Sequence, residues 1–523
     1  MRKKHFILLL LLLPVLLFAQ TDNEDKSDKP SFGFTGQAGY MTQGNNTWTQ
    51  IRLMPEVALG KFAFGLDIEF LLDPELNLRS DDWDEPIDLL SKIYYVKYGN
   101  RNDSWYLQAA GFPSYTLAHG LIMNEYNNRL LYPDQKNIGA MIGIKPPLSL
   151  HPGLEVFCSN LAKADLLAAQ VSFEPFALGK KEALLPLRIG VTYVTDRNQY
   201  AKYDDKDKDK VPDIIDPDVG VKNTRNDIDG DGLLNNTPTA DGVYTSSLDP
   251  DIDNDGVLDS PAFNPYVSTL ADIPEAYWSL LDNHITTPHW YGKRDEISVY
   301  GAWFDLPIVQ TGPFLLSTYG EFAQIDGYGK GLSFPGFETK FLIFDLNLEM
   351  RRFGNQFLPS YFDQYYEDQR SRVVETSDPL STAELVTKES TLSALHKSLG
   401  WYGGLKAHVA NVVMLEGSYQ DMYGEGYTAG KSVRVKASVD PVVIPKIQAA
   451  SICYSQSNVQ YLSLQKVQTP SAKIDGTLIF RLSDFTNLIA VYSERYIDQN
   501  GDNKIKGTNE ILKTYSLGVG IRF

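Results

Sequence analysis

The chain has 523 residues, a net charge of -18 at pH 7 and a sequence pI near 4.9. That acidity speaks against nucleic acid as a partner, because phosphate backbones are held by an excess of Lys and Arg. Two cysteines, Cys158 and Cys453, are too few for a disulfide scaffold. Both fall in strand-like segments, where buried or lumen-facing thiols are expected, and a disulfide between them stays open.

Residues 1–20, MRKKHFILLLLLLPVLLFAQ, combine a basic start (Arg2, Lys3, Lys4) with an apolar run from Phe6 to Phe18. The run is short for a membrane span and ends in Ala19-Gln20, so it reads as a secretory signal peptide. Residues 21–30 form a polar linker. From Ser31 the dominant pattern is period two. Phe62, Phe64, Leu66, Ile68 and Phe70 alternate with Lys61, Ala63, Gly65, Asp67 and Glu69; Leu187, Ile189, Val191 and Tyr193 alternate with Arg188, Gly190 and Thr192. One face is apolar and the other polar, as in strands with a different medium on each side.

Between 197 and 294 the alternation stops. Positions 204 to 260 hold sixteen Asp, no Glu and five Lys or Arg, so something positive is needed among them. One spacing recurs three times. DKDKDKVPDIID places Asp205, Asp207, Asp209, Asp213 and Asp216; DIDGDGLLN places Asp227, Asp229, Asp231 and Asn235; DIDNDGVLD places Asp251, Asp253, Asp255 and Asp259. Carboxylates at positions 1, 3 and 5 of a tight loop converge on one point, and calcium accepts six to eight oxygen ligands in flexible geometry. Gly232 and Gly256 supply the turn. These segments resemble thrombospondin type 3 repeats, which implies bound Ca2+. The first copy departs from that pattern, with Lys210 in place of the glycine.

After the insertion, period two resumes. Leu342, Phe344, Leu346, Leu348 and Met350 alternate with Ile343, Asp345, Asn347, Glu349 and Arg351; Val433, Val435, Ala437 and Val439 alternate with Arg434, Lys436 and Ser438. Between these two runs, Ser381 and Glu384 have capping-box spacing and predict a short surface helix, either folded into a barrel mouth or covering it. Near the end, Asp498, Asn500 and Asp502 occupy positions 1, 3 and 5 of an EF-hand-like loop, for which a plain Asn/Asp/Gly-rich hairpin is an equal alternative.

The last ten residues are TYSLGVGIRF, with Tyr515, Leu517, Val519, Ile521 and Phe523 on one face. This strand resembles the assembly signal of bacterial outer-membrane β-barrels, which implies recognition by the barrel-assembly machinery. Strands of about ten residues, recurring along most of the chain, fit a bilayer-spanning barrel better than a soluble sandwich. The expected fold is therefore all-β: a transmembrane antiparallel β-barrel of about 18–20 strands with a long acidic extracellular insertion. The barrel occupies 31–196 and 295–523, in contact with outer-membrane lipid. Counting hairpins back from Phe523 puts the long connections 73–89, 113–137, 197–294 and 353–399 on one, extracellular, side.

The primary functional expectation is a porin-like channel for small solutes, lined by Asp67, Glu69, Arg188, Asp345, Glu349, Arg351, Arg434 and Lys436. The alternative is a surface-display or adhesion protein that uses the barrel as an anchor and meets a surface partner through the insertion. An open lumen favours the first and a plugged lumen the second. An outer-membrane enzyme is a remote third reading: no local motif places a Ser-His pair, and His284 and His289, five residues apart around Pro288, lack the spacing of a zinc site.

Overall fold

In the computed structural model the described residues are 30–204 and 296–522, except 102, 178–184, 375–383, 411, 427, 440–445, 461, 463–466, 499–503 and 508–509; residues 206, 213, 258–259 and 281–282 are described as well. They form one closed antiparallel barrel. Its strands are β1 (Ser31–Gln43), β2 (Asn46–Leu59), β3 (in two halves, Phe62–Leu66 and Ile68–Leu72), β4 (Ile93–Tyr98), β5 (Trp105–Ala110), β6 (Gly139–Ile144), β7 (Gly153–Cys158), β8 (Leu166–Phe173), β9 (Arg188–Asp196) and β10 (Ile297–Thr311). The second half of the barrel continues with β11 (Phe314–Ile325), β12 (Lys330–Phe341), β13 (Phe344–Phe353), β14 (Ser398–Val409) and β15 (Val413–Tyr423). It ends with β16 (Lys431–Val439), β17 (Ile447–Val459), β18 (Ala472–Arg481), β19 (Thr486–Tyr496) and β20 (Ile511–Arg522). The sheet has 21 strand segments, and because two of them are halves of β3, the barrel has 20 strands.

Closure is made by the first and last strands, which pair from Thr35↔Arg522 to Gln43↔Thr514. At this seam Gly39 faces Gly518, and a Cβ on Gly39 would lie 2.2 Å from the Leu517 carbonyl oxygen. Only a residue without a side chain allows that approach.

The alternation read from the sequence is the inside and outside of this barrel. Leu517 is 56% exposed and Val435 55% exposed on the outer face, while Ser516, Lys436 and Arg434 point inward. Large apolar side chains are exposed on strands all round the wall, among them Tyr94, Val191, Phe337, Leu348, Leu415 and Ile452. A sheet with water on both sides would not present such a belt.

Long and short connections segregate to opposite ends. Connections 73–92, 111–138, 197–296 and 354–397 lie at one end; the longest at the other is 174–187. Two local expectations change. The run from Phe62 to Phe70 is not one continuous strand: it breaks at Asp67, whose N–H leaves the ladder to donate to the Lys92 carbonyl at 2.7 Å. The helix predicted from Ser381 and Glu384 is absent. Glu384–Thr387 instead pairs antiparallel with Ser371–Val374, and a 3-10 segment, Lys388–Ala394, follows (Ser381 lies outside the described residues). Val373, Val374, Val386 and Thr387 are β-branched, and the buried Leu385 and Leu392 tie this hairpin to the interior instead of leaving it on the surface.

If the outer belt meets hydrocarbon, Val435→Arg should destabilise the barrel refolded in lipid vesicles by about 2–4 kcal/mol. Lys436→Gln, one residue away but facing the lumen, should cost much less, and urea unfolding followed by heat-modifiable migration measures both.

Candidate functional site

The lumen is not empty. Connections 111–138 and 354–397 fold down into the barrel from its long-loop end and cross it. They carry Phe112, Tyr115, Leu121, Met123 and Tyr126 from the first loop, and Phe357, Tyr361, Phe362 and Tyr366 from the second. These pack with inward-facing Tyr106, Phe157, Leu166, Val194, Ile297 and Ile325 in one buried apolar cluster. The long connections share one end of the barrel, as the hairpin count implied, and two of them turn inward from it, because loops this apolar are driven to bury.

The first loop is tied to opposite parts of the wall. At its far end, Lys136 Nζ lies 2.7 Å from Asp67, which Arg52 also holds at 2.6 Å. Beside that pair the Tyr132 hydroxyl donates to Glu69, and Gln43 donates to Asp134 at 3.0 Å. On β11, the buried Glu321 carboxylate accepts the backbone N–H groups of His119 (3.1 Å) and Leu121 (3.0 Å). His119 stacks on Tyr319 with ring centroids 4.1 Å apart, and burial pushes its pKa down to about 4, so it is neutral near pH 7.

The second loop is joined to the first by backbone pairing. Ser360 N–H donates to Leu121 O at 2.7 Å, and Asn124 N–H to Phe362 O at 3.1 Å. It is also locked to the wall by charge. Arg370, fully buried, donates to Asp165 at 2.5 Å, to Asp196 at 2.6 Å and to Glu367 at 3.2 Å. One cation cannot neutralise three carboxylates. Burial accordingly pushes Glu367 above the ordinary carboxylate range, whereas in Asp165 the Arg370 guanidinium outweighs burial and the pKa falls. Farther along, Asp368 meets Arg495 at 2.6 Å, and the Tyr365 hydroxyl reaches Ser455 at 2.7 Å.

Between these loops and the wall formed by β13–β17 lies a small polar cleft with a cavity volume of about 50 Å³. Glu125 and Asp363 contribute from the loops; Arg351, Gln420, Arg434 and Gln456 contribute from the strands. Glu125 (φ 53°) and Ser360 (φ 49°) are non-glycine residues in the left-handed region at its edge. Such conformations cost of order 1–3 kcal/mol each and persist where surrounding contacts impose them.

All eight residues expected to line the lumen do face it. Asp67, Glu69, Glu349 and Arg351 are buried there, the first two against the 111–138 loop. Arg188 lies over Trp303, and Asp345 sits opposite Lys406. Arg434 pairs with Glu125 at 3.0 Å and Lys436 with Glu416 at 3.3 Å. The loop partners that define the cleft, Glu125, Ser360 and Asp363, are not among the residues expected from alternation. The sequence signal nearest to them is the run Phe357, Tyr361, Phe362, Tyr365 and Tyr366, five aromatic side chains within ten residues of a segment without strand alternation.

Most of the metal-site candidates lie outside the described residues: Asp205, Asp207, Asp209, Asp216, Asp227, Asp229, Asp231, Asn235, Asp251, Asp253, Asp255, Asn500 and Asp502. Asp259 is described only as backbone, in a two-residue parallel pairing of Leu258–Asp259 with Leu281–Asp282. Asp213 accepts the Lys206 N–H at 2.9 Å and lies 3.6 Å from its amine. Asp498 follows β19. Among the described residues no group of three or more His, Cys, Asp or Glu gathers as metal ligands. Cys158 and Cys453 are unpaired with each other, and the Cys158 thiol donates to the Asn160 carbonyl at 3.3 Å.

No family model matches the chain, and no curated protein matches it. Among solved structures it is similar over 95% of its length to OccK5 (OpdH) of Pseudomonas aeruginosa, at 8% identity, 98% of that chain and TM-score 0.31. It is also similar to a mutant of the ferric enterobactin receptor PfeA from Pseudomonas aeruginosa (8% identity, 95% and 81% of the two chains, TM-score 0.36) and to a triple mutant of Rhodopseudomonas blastica porin (6%, 95% and 100%, TM-score 0.25). At such identities and TM-scores the barrel rests on its own strand pairing.

Arg370→Met leaves three buried carboxylates without their cation and should destabilise the 354–397 loop by about 3–5 kcal/mol. Limited proteolysis of the folded protein should then cut within 354–397 while the strands remain protected. Arg370→Lys, which keeps the charge but loses the planar fork, should fall between the two.

Proposed function

We propose that this protein is an outer-membrane channel for small polar solutes, narrowed by two in-folded loops, with the cleft against β13–β17 as its passage. The observation that carries this reading is the combination of an outward apolar belt with a charged, hydrogen-bonding interior in one closed barrel. A closed barrel satisfies every backbone group within the sheet, the condition for crossing hydrocarbon. Barrels of 16–18 strands already leave an aqueous channel, so a 20-strand wall has room for loops and a passage beside them. Toward the short-turn end, Lys406, Lys436 and Asp475 keep part of their side chains accessible, as in a water-filled vestibule.

The loops that cross the lumen are what an anchor for surface display would also carry, so conductance decides between the two readings. In planar bilayers the wild-type protein should give stepwise KCl currents. Arg370→Met, by freeing the second loop, should raise the step size or the frequency of large openings. Silence of both proteins across the voltage range would leave the barrel as an anchor.

The acidic insertion belongs to the same proposal as a calcium-binding surface segment, supported by the repeated 1, 3, 5 spacing of its aspartates and by two of the three glycine turns. Neutralising Asp251, Asp253, Asp255 and Asp259 with one ion removes their mutual repulsion and orders a segment otherwise too polar to fold. Limited proteolysis should cut 203–260 faster in chelator than in calcium, with protection restored by calcium more than by magnesium. Equal cutting in both conditions would reduce the repeats to a solvated acidic segment.

A further inference from the structure

We infer that the outer wall at β12–β16 carries a docking site for a membrane lipid with a phosphate headgroup: the phosphate on a basic cluster at the long-loop rim, an acyl chain in a groove below it. The site is independent of the channel reading and requires only that the apolar belt face hydrocarbon. Outward positions on these strands line up in rows across the register. In one row Gly403 stands between Leu348 and Tyr419, and in the next Gly417 stands between Leu405 and Val435. The two glycines form the floor of a groove of about 660 Å³, with Phe337, Leu348, Trp401, Tyr419 and Val435 as its sides. Trp401 and Tyr419 pack with ring centroids 5.3 Å apart at its upper end. Packing does not force a glycine at 417, since a Cβ there would meet nothing closer than 3.9 Å. Its bare backbone leaves room on the lipid side.

Above the groove, toward the long loops, stand Lys330 on β12, Arg352 on β13 and Lys397 just before β14. All three are exposed, and strand alternation puts them on the outer face. Leu332 and Leu399 pair with Arg352, and each lysine lies two residues beyond one of those partners, at the same-face diagonal spacing of about 7–8 Å. None of the three pairs with a carboxylate among the described residues, whereas the next outward charges along this rim, Asp421 and Lys431, neutralise each other at 2.5 Å. Three uncompensated cations on a chain of net charge -18 call for an anion. The planar fork of Arg352 can hold two phosphate oxygens at once, with a lysine on either side. Arg352 stands four residues from Leu348, roughly 13 Å along the strand and about 10 Å in depth at the usual tilt. With the cations at headgroup level, the groove then lies in the half of the hydrocarbon layer nearest the long loops. An amphiphile with a phosphate above its chains matches both parts. A second copy of the barrel does not, because a two-fold contact on this face would set the three cations of one copy against those of the other.

The test is native mass spectrometry of the folded full chain in detergent, with dipalmitoyl phosphatidylglycerol, dipalmitoyl phosphatidylcholine and inorganic phosphate as probes. Phosphatidylglycerol should be retained about tenfold more strongly than phosphatidylcholine, whose choline offsets the charge of the same phosphate. The combined variant Lys330→Gln, Arg352→Gln, Lys397→Gln should lose that preference. Gly417→Leu, which fills the floor of the groove, should weaken retention of phosphatidylglycerol about tenfold by displacing part of its chain. Heat-modifiable migration checks that each variant folds, and the comparison of the two lipids on the wild-type protein stands without them. Equal retention of both lipids, retention of phosphatidylglycerol unchanged in either folded variant, or its displacement by inorganic phosphate at equal concentration overturns the site. A lipid-free dimer overturns it as well, and gives this face to a second copy of the chain.

Discussion

A sheet that turns an apolar face outward cannot afford an edge, because each unpaired N–H or C=O in hydrocarbon costs several kcal/mol. In this chain the constraint is met at one seam, where β1 and β20 pair over Thr35–Gln43 and Thr514–Arg522. Everything else depends on that closure. It turns period-two alternation into an inside and an outside, and it fixes the polar residues of twenty strands around a common lumen. It also brings Asp165, Asp196 and Arg495 from separate stretches of wall within reach of one loop.

The interior then poses its own electrostatic problem. Charges of both signs face the lumen, and the in-folded loops bury many of them, so each needs a partner to remain there. The solution is pairing across elements: Lys136 with Asp67, Arg434 with Glu125, Arg370 with Asp165 and Asp196. The same pairs hold the loops in place. Pairing of the charges and placement of the loops are thus one arrangement.

The apolar contribution is equally divided. Phe157 stacks on Tyr115 with centroids 4.0 Å apart, a wall residue against a loop residue, and Tyr126, Phe362 and Tyr366 extend the contact across the seam between the loops. A barrel of this size would otherwise present these inward apolar positions to water. The loops bury them, and in doing so reduce a wide lumen to a cleft along one wall.

By itself, the sequence determined the wall. Alternation at Phe62–Phe70, Ile189–Tyr193, Phe344–Met350 and Val433–Val439 marks which side chains face out, since a strand gives each successive residue to the opposite face. The long connections identified themselves as breaks in that period, and charges such as Arg434 and Glu349 were legible as lumen residues. The cleft was not. Glu125, Ser360 and Asp363 sit in segments without periodicity, and their positions follow from contacts more than two hundred residues apart in the chain, such as Ser360 with Leu121 and Tyr126 with Glu367. Local pattern reports which medium a side chain prefers, and does not report which distant loop will supply that medium. The Ser381–Glu384 spacing failed for the same reason: a capping signal worth about 1 kcal/mol was overridden by burial of Leu385 and Leu392 inside a barrel that only tertiary closure creates.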